Sequence, residues 1–305
     1  MATGRSLLPA GVDAPDGLAA LLAAQGYLAD EGLATACWLA LALPRPLLCE
    51  GEAGVGKTSL AHAIAAIIGA PLLRLQCYEG IDASQALYDW DFPRQLMHLR
   101  AAEATGRATD QQALEDELYS RRFLVARPLL AALETTPCVL LVDEIDRADD
   151  EFEAFLLEVL SEFAVTIPEL GTVRAEVPPV VVVTSNRTRE VHDALKRRCL
   201  YHWIDHPSFE REVAIVHRRL PEAPDQLARE VALAVQRLRT EDLLKPPGVA
   251  ETLDWTAALL ALGADHLDAR TATLTLGSVL KHREDVERAR ALDIGATAAR
   301  AVRDG

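Results

Sequence analysis

Apolar positions along the chain follow two rhythms. Over 17–43, Leu18, Leu21 and Leu22, then Leu33, Cys37 and Leu41, recur at helical spacing, with Gly26 and Gly32 interrupting the pattern. The rhythm then changes to short unbroken runs at Pro46–Cys49, Leu72–Cys77, Cys138–Val142 and Val180–Thr184, each followed by a polar loop or a helical pattern. Val- and Leu-rich runs without alternation are the mark of strands buried on both faces. Interleaved with helical patterns such as 58–68 and 150–163, they predict a parallel sheet flanked by helices, an α/β fold. Val165–Ile167 and Thr172–Ala175 flank Pro168-Glu169-Leu170-Gly171, which predicts a β-hairpin just before the strand at Val180. From Ser208 onward helical patterns dominate, at 209–220, 225–240, 250–262 and 284–302, punctuated by Pro221, Pro224 and Lys245-Pro246-Pro247-Gly248. The expected organisation is an α/β domain with N-terminal helices over 1–207 and a smaller C-terminal α-helical domain over 208–305.

Composition adds limits. Half of the 305 residues are apolar and a quarter charged, as in a folded globular protein of one large or two modest domains. The net charge is −15, and residues 1–207 hold most of it, with 17 basic and 30 acidic side chains. A surface that acidic repels phosphate backbones and argues against non-specific nucleic-acid binding, a local basic groove aside. The apolar stretch Leu33–Leu43 is eleven residues long and is stopped by Pro44-Arg45-Pro46. A bilayer span needs about 20, so a core helix is expected and no membrane span. Asp13, Asp16 and Asp30 interrupt the first thirty residues, where no secretory leader is read. Cys37, Cys49, Cys77, Cys138 and Cys199 are odd in number and form no C-x-x-C. Free thiols in a reducing cytoplasm are expected.

Gly51-Glu52-Ala53-Gly54-Val55-Gly56-Lys57-Thr58 matches G-x-x-x-x-G-K-[ST]. It lies between a strand run and the helical run Ser59–Ile68, the context that a phosphate-binding loop requires. Gly51, Gly54 and Gly56 let the backbone take positive φ and approach an anion closely. The exposed N–H groups and the following helix N-terminus, from Glu52 to Ser59, point positive charge at phosphates. Lys57 would reach the β and γ oxygens of a nucleotide and Thr58 Oγ1 would ligate Mg²⁺. A second signature is the run Cys138–Val142 ending in Asp143-Glu144. Carboxylates at the end of a buried strand call for a cation, which Mg²⁺ on the phosphates supplies. Asp143 would steady the ion and Glu144 would orient or deprotonate the attacking water.

The order of the remaining motifs resembles AAA+ ATPases. A third apolar strand ends at Asn186, and Lys196-Arg197-Arg198 follows shortly after. Asp143-Glu144-Ile145-Asp146-Arg147-Ala148 is close to the D-E-I-N-R-A pattern of the MoxR family, with Asp where Asn is usual. Four segments look like the MoxR branch associated with maturation of molybdenum-containing carbon monoxide dehydrogenase. They are Cys77-Tyr-Glu-Gly-Ile, Leu87-Tyr-Asp-Trp-Asp-Phe-Pro-Arg-Gln, Lys196-Arg-Arg-Cys-Leu-Tyr-His-Trp-Ile-Asp and Pro246-Pro-Gly-Val-Ala-Glu-Thr-Leu-Asp-Trp255. The resemblance implies the P-loop NTPase core with a helical lid, and ATP with Mg²⁺. It also implies a ring homo-oligomer, commonly of six, a client protein, and a von Willebrand A-domain partner. It makes Asn186 the first sensor, facing the γ-phosphate or the attacking water. Arg197 or Arg198 becomes the arginine finger offered to a neighbouring subunit. One departure stands out: where many lids carry a second-sensor Arg, this chain has Glu251, with Lys245 as a distant substitute.

Other residues have plainer explanations. Tyr88, Trp90 and Phe92 fall in the expected loop after the second strand, where they would grip a client or pack the domain. Asp149-Asp150-Glu151 and Glu153 suit a helix N-terminus with a solvated acidic face. His202 and His206 are taken as structural. Three functions stay open: a MoxR-type ATP hydrolase remodelling a client, a nucleotide-gated switch with little turnover, and a DNA-associated motor, which the acidic core disfavours.

Overall fold

The computed structural model describes residues 7–104 and 111–292. Its strands are β1 (Leu47–Glu50), β2 (Leu72–Gln76), β3 (Tyr88–Trp90), β4 (Leu124–Ala126), β5 (Val139–Asp143), β6 (Ala164–Ile167), β7 (Gly171–Arg174), β8 (Val180–Ser185) and β9 (Leu200–Trp203). The helices are α1 (Pro15–Ala24), α2 (Glu31–Ala42), α3 (Lys57–Ile68), α4 (Ala83–Leu87), α5 (Phe92–Ala104), α6 (Gln111–Leu118), α7 (Pro128–Glu134), α8 (Asp150–Glu162), α9 (Asp193–Arg198), α10 (Phe209–Arg219), α11 (Asp225–Arg239), α12 (Val249–Ala261), α13 (Ala269–Val279) and α14 (Arg283–Ala291). The chain divides into two compact units. One holds residues up to Leu18, Glu31–Glu50 and Ile64–His202; the other holds Ala19–Asp30, Gly51–Ala63 and the chain from Trp203.

In the first unit the four apolar runs become β1, β2, β5 and β8 of a five-stranded sheet of order β2-β5-β8-β1-β9, whose edge strand β9 follows no such run. Its pairs β2/β5, β5/β8 and β8/β1 are parallel. Every residue of β1, β5 and β8 is buried, which explains runs without polar alternation. Leu48, Leu140, Val142 and Val183 pack with Phe152, Leu156 and Leu160 of α8 in one cluster. The register sets Gln76 opposite Asp143 and Glu50 opposite Ser185. Polar residues therefore gather where the apolar runs end, at the carboxyl edge where α/β sheets bind ligands. The predicted hairpin is β6/β7, with Ile167 opposite Gly171.

Two expectations need correction here. The helical stretch 17–43 is two helices, because Gly26 sits at φ 79° and ends the first. Tyr88 and Trp90 are not in a loop. They form β3, antiparallel to β4, with α5 and α6 intervening in sequence. Trp90 stacks edge-on with Tyr88 and Tyr119, at 6.0 and 5.3 Å between centroids, so these rings pack the domain, while Phe92 is 60% exposed.

In the second unit Trp255 is fully buried among Leu227, Val231, Leu259, Leu267 and Leu276, and its Nε1 donates to Thr275 Oγ1 at 2.7 Å. Arg239 meets Glu212 through two bonds of 2.7 Å, and Thr252 Oγ1 donates to the same carboxylate at 2.6 Å. This buried pair ties α10, α11 and α12 together. Helix α13 escaped the apolar pattern because Thr271, Thr273 and Thr275 fill alternate positions, although Asp268 caps it by accepting two N–H bonds. The expected helix 284–302 is α14 as far as 291, and its remainder from 293 lies outside the described residues.

Candidate functional site

The predicted phosphate loop belongs to the second unit. Gly51, Gly54 and Gly56 take φ of 157°, 79° and 97°, the conformations their side-chain-free backbones permit. Val55 is buried and anchors the loop, while Glu52 is exposed. Lys57 opens α3 and is 6% exposed; its Nζ donates to the carbonyls of Gly51 at 2.7 Å and Glu52 at 2.6 Å. The lysine thus threads the turn that its own loop makes. Thr58 and Ser59 follow in the first turn of the helix, where amide N–H groups lack intrahelical partners. The Tyr27 ring, which sequence reasoning missed, lies 3.6 Å from where a Cβ on Gly56 would stand. Glu251, flagged by its type, is in the first turn of α12 beside Gly54. Lys245 is placed otherwise: its backbone N–H donates to Asp285 at 3.2 Å.

The other candidates belong to the first unit, at the carboxyl edge of its sheet. Asp143 is 3% exposed, and its Oδ1 accepts the Thr184 hydroxyl at 2.5 Å. Its Oδ2 accepts Arg74 Nη2 at 2.6 Å and Nε at 2.9 Å. The cation demanded by a buried carboxylate is supplied, in this structure, by a guanidinium. Glu144 is left-handed, φ 57° and ψ 51°, a strained setting for a side chain with a Cβ. Its N–H donates to Thr184 Oγ1 at 2.9 Å, so one hydroxyl orients both acidic residues. The Glu144 carboxylate accepts Gln76 Nε2 at 3.0 Å and Arg147 Nη1 at 3.2 Å. Asn186 Nδ2 stands 3.5 Å from its other oxygen. Asp143, Glu144 and Asn186 are therefore brought together. Arg74, Gln76 and Thr184 complete the cluster without any sequence signal.

Asp146, the departure from D-E-I-N-R-A, has a physical reason. Its Oδ1 accepts the Asn186 N–H at 3.1 Å; its Oδ2 accepts the Thr188 N–H at 2.9 Å and hydroxyl at 2.6 Å. Three donors converge on one buried side chain, which suits a carboxylate with acceptors only. Asp146→Ala should cost about 2 kcal/mol, the penalty of stranding such donors. Urea unfolding checks this, and a loss below about 0.5 kcal/mol counts against it.

Glu153 also corrects an expectation. It is 1% exposed rather than solvated, pairs with Arg189, and accepts the His192 N–H at 2.7 Å. Asp149 does cap α8, accepting the Phe152 N–H at 2.8 Å. Arg197 and Arg198 close α9 and are both exposed. Arg198 Nη2 donates to the Ser161 carbonyl at 2.6 Å, whereas the Arg197 guanidinium makes no bond among the described residues. Arg45 donates to the carbonyls of Arg197, Arg198 and Cys199 and pins the end of the helix. All five cysteines are buried. Burial, together with the carboxylates of Asp143, Asp146, Glu153 and Glu144, pushes the Cys77 thiol up to about 12, which suppresses thiolate chemistry at neutral pH.

The chain is 24% identical over 191 residues to the mouse nuclear valosin-containing protein-like protein, covering 61% of this chain and 17% of that one. Among solved structures it is similar to the Thermotoga maritima RuvB Holliday junction branch migration motor. That match is 18% identical, covers 76% of this chain and 61% of the other, and has a TM-score of 0.42. A point mutant of the same RuvB matches at 17% identity over 87% of this chain and 70% of that one, with a TM-score of 0.47. No helix among the described residues is long and apolar enough to cross a membrane. A family model described as AAA domain (dynein-related subfamily) matches residues 46–199, half of the chain, running from β1 through the phosphate loop, β5 and β8 to α9. The chain belongs to this AAA family.

Proposed function

We propose that the protein is a Mg²⁺-dependent ATP hydrolase of MoxR type that remodels a client protein in the maturation of a metal-centre enzyme. The observation that carries the hydrolytic half is the Thr184 hydroxyl, which joins Asp143 to the Glu144 backbone while Asn186 lies beside the Glu144 carboxylate. Members of this family generally form oligomeric rings. A hexamer, a von Willebrand A-domain partner and a molybdenum hydroxylase client rest on the sequence resemblance. So does the division into a nucleotide-binding domain over 1–207 and a lid over 208–305.

The residues divide the work by chemistry. Backbone N–H groups from Glu52 to Ser59 and the Lys57 ammonium would hold the phosphate oxygens. Magnesium suits hard oxygen donors, and Thr58 Oγ1 and the Asp143 carboxylate, already in a cation's company through Arg74, are of that kind. When bound there it would offset charge on the β and γ oxygens. Glu144 would take a proton from the attacking water through Oε1, while Oε2 stays engaged with Gln76 and Arg147. Asn186 would orient that water or the γ-phosphate. Arg197, whose guanidinium makes no bond within its own subunit among the described residues, would reach the γ-phosphate of a neighbour.

Turnover per subunit should fall steeply on dilution from assembled ring to monomer, because each site then lacks its neighbour's arginine. Steady-state assays across a concentration series, with assembly followed by light scattering, test this. Turnover that stays constant into the monomeric range rules out a shared site. ATP retained through many minutes of a single-turnover assay on assembled protein would instead favour the nucleotide-gated switch.

A further inference from the structure

Two glycines meet back to back where α12 begins. A Cβ on Gly248 would stand 2.6 Å from the Ala53 carbonyl oxygen and 2.8 Å from Gly54 Cα. One on Gly54 would stand 2.8 Å from Glu251 Oε2 and 3.1 Å from Gly248 Cα. Neither position has room for a side chain, so the first turn of α12 lies directly on the turn of the phosphate loop. The Ala250 N–H seals the approach with a hydrogen bond to the Gly54 carbonyl at 3.2 Å. The contact is held from behind: Arg239 Nε donates to the Pro247 carbonyl at 2.8 Å, and Thr252 Oγ1 is fixed on buried Glu212.

Glu251 is the charged group at this contact. Its Oε2 accepts the Gly248 N–H at 2.9 Å, which is half of a capping box; glycine has no side chain for the other half. Glutamine performs the same cap equally well. The cap explains an acceptor at 251 and the helix dipole favours a negative charge there, but neither depends on which side of α12 the charge faces. That charge lies against Gly54, in a turn whose N–H groups are suited to receive phosphate oxygens. Like charges oppose one another, and the opposition grows with the number of phosphates.

We infer that Glu251 is a specificity-determining residue of the phosphate loop, whose charge lowers affinity for a nucleoside triphosphate more than for a diphosphate. The inference rests on the loop being the ATP site. It makes the start of α12 a brake on ATP loading rather than an aid to it.

Calorimetric titration of the full chain with ATP and with ADP, each in the presence of Mg²⁺, tests the inference. Glu251→Gln keeps the acceptor for Gly248 and removes the charge. It should bind ATP about tenfold more tightly and ADP no more than about threefold more tightly, as one step less of like charge implies. Glu251→Ala, which removes cap and charge together, should move the ATP:ADP ratio in the same direction. Variants that keep the wild-type ratio overturn the inference and leave the nucleotide site standing. Failure of the wild-type chain to take up either nucleotide overturns the site and the inference together.

Discussion

Alanine in place of Arg197 should lower ATP turnover about 10³-fold or more while leaving nucleotide affinity within about twofold, as removal of an arginine finger does. The expectation separates Arg197, the match to the family's arginine, from its close rival Arg198. Arg198 is tied to the Ser161 carbonyl of its own chain, and the Arg197 guanidinium makes no bond among the described residues. A finger has to leave its own subunit, so a guanidinium already satisfied in cis is the poorer candidate. Its neighbour is also presented on a firm base, since Arg45 gathers the last carbonyls of α9. Arg198→Ala should cost about 1 kcal/mol of stability, the net worth of one such hydrogen bond, and change turnover within about threefold. Mixing gives a sharper measurement than either variant alone. Arg197→Ala subunits retain an intact phosphate loop and Lys57→Ala subunits retain an intact finger. Co-assembled, the two should recover part of the wild-type rate. No recovery, or a larger loss from Arg198→Ala, would reverse the assignment.

Glu144→Gln should slow hydrolysis by about 10²–10⁴-fold, the range for loss of a general base, and leave ATP bound. Glutamine matches the volume of glutamate and leaves the Glu144 N–H to Thr184 bond, which is a backbone contact, in place. The left-handed backbone at 144 is unchanged as well, because neither side chain is favoured there. What disappears is the ability to take a proton. Rapid-quench measurement of the chemical step, alongside equilibrium binding of ATP, separates the two effects. A variant that hydrolyses at the wild-type rate would show that Glu144 is not the base, and the cluster around Asp143 would then need another reading. Loss of ATP binding instead would mean that the carboxylate is structural, holding Gln76 and Arg147 in place.

These expectations draw on residues of very different legibility. Asp143 and Glu144 stand out because they end an apolar run, and the phosphate loop stands out because its glycines and lysine keep fixed spacing. Arg74 and Thr184 carry no such mark. They reach Asp143 across 69 and 41 positions of chain, and neither spacing nor residue type announces the pairing. Glu153 looked solvated because the helix start around it is acidic, and only the arrival of Arg189 and the His192 N–H accounts for its burial. The stretch from α4 to α7 was opaque for a related reason. Phe92, Leu96 and Met97 are exposed on α5, and β3 and β4 are three residues each, so no periodicity survives.

The order of residues alone determined the buried parallel strands, the hairpin, the glycine turn with its lysine, and the acidic strand end. Each depends on local spacing and on the cost of leaving apolar or charged groups in the wrong medium. Tertiary structure decided which donors satisfy the carboxylates of Asp143, Glu144 and Asp146, which of the two arginines on α9 is already engaged, and that Glu251 lies on Gly54. Those outcomes depend on strand register and helix packing. A buried charge must find a partner somewhere, but only the folded chain determines which distant residue supplies it.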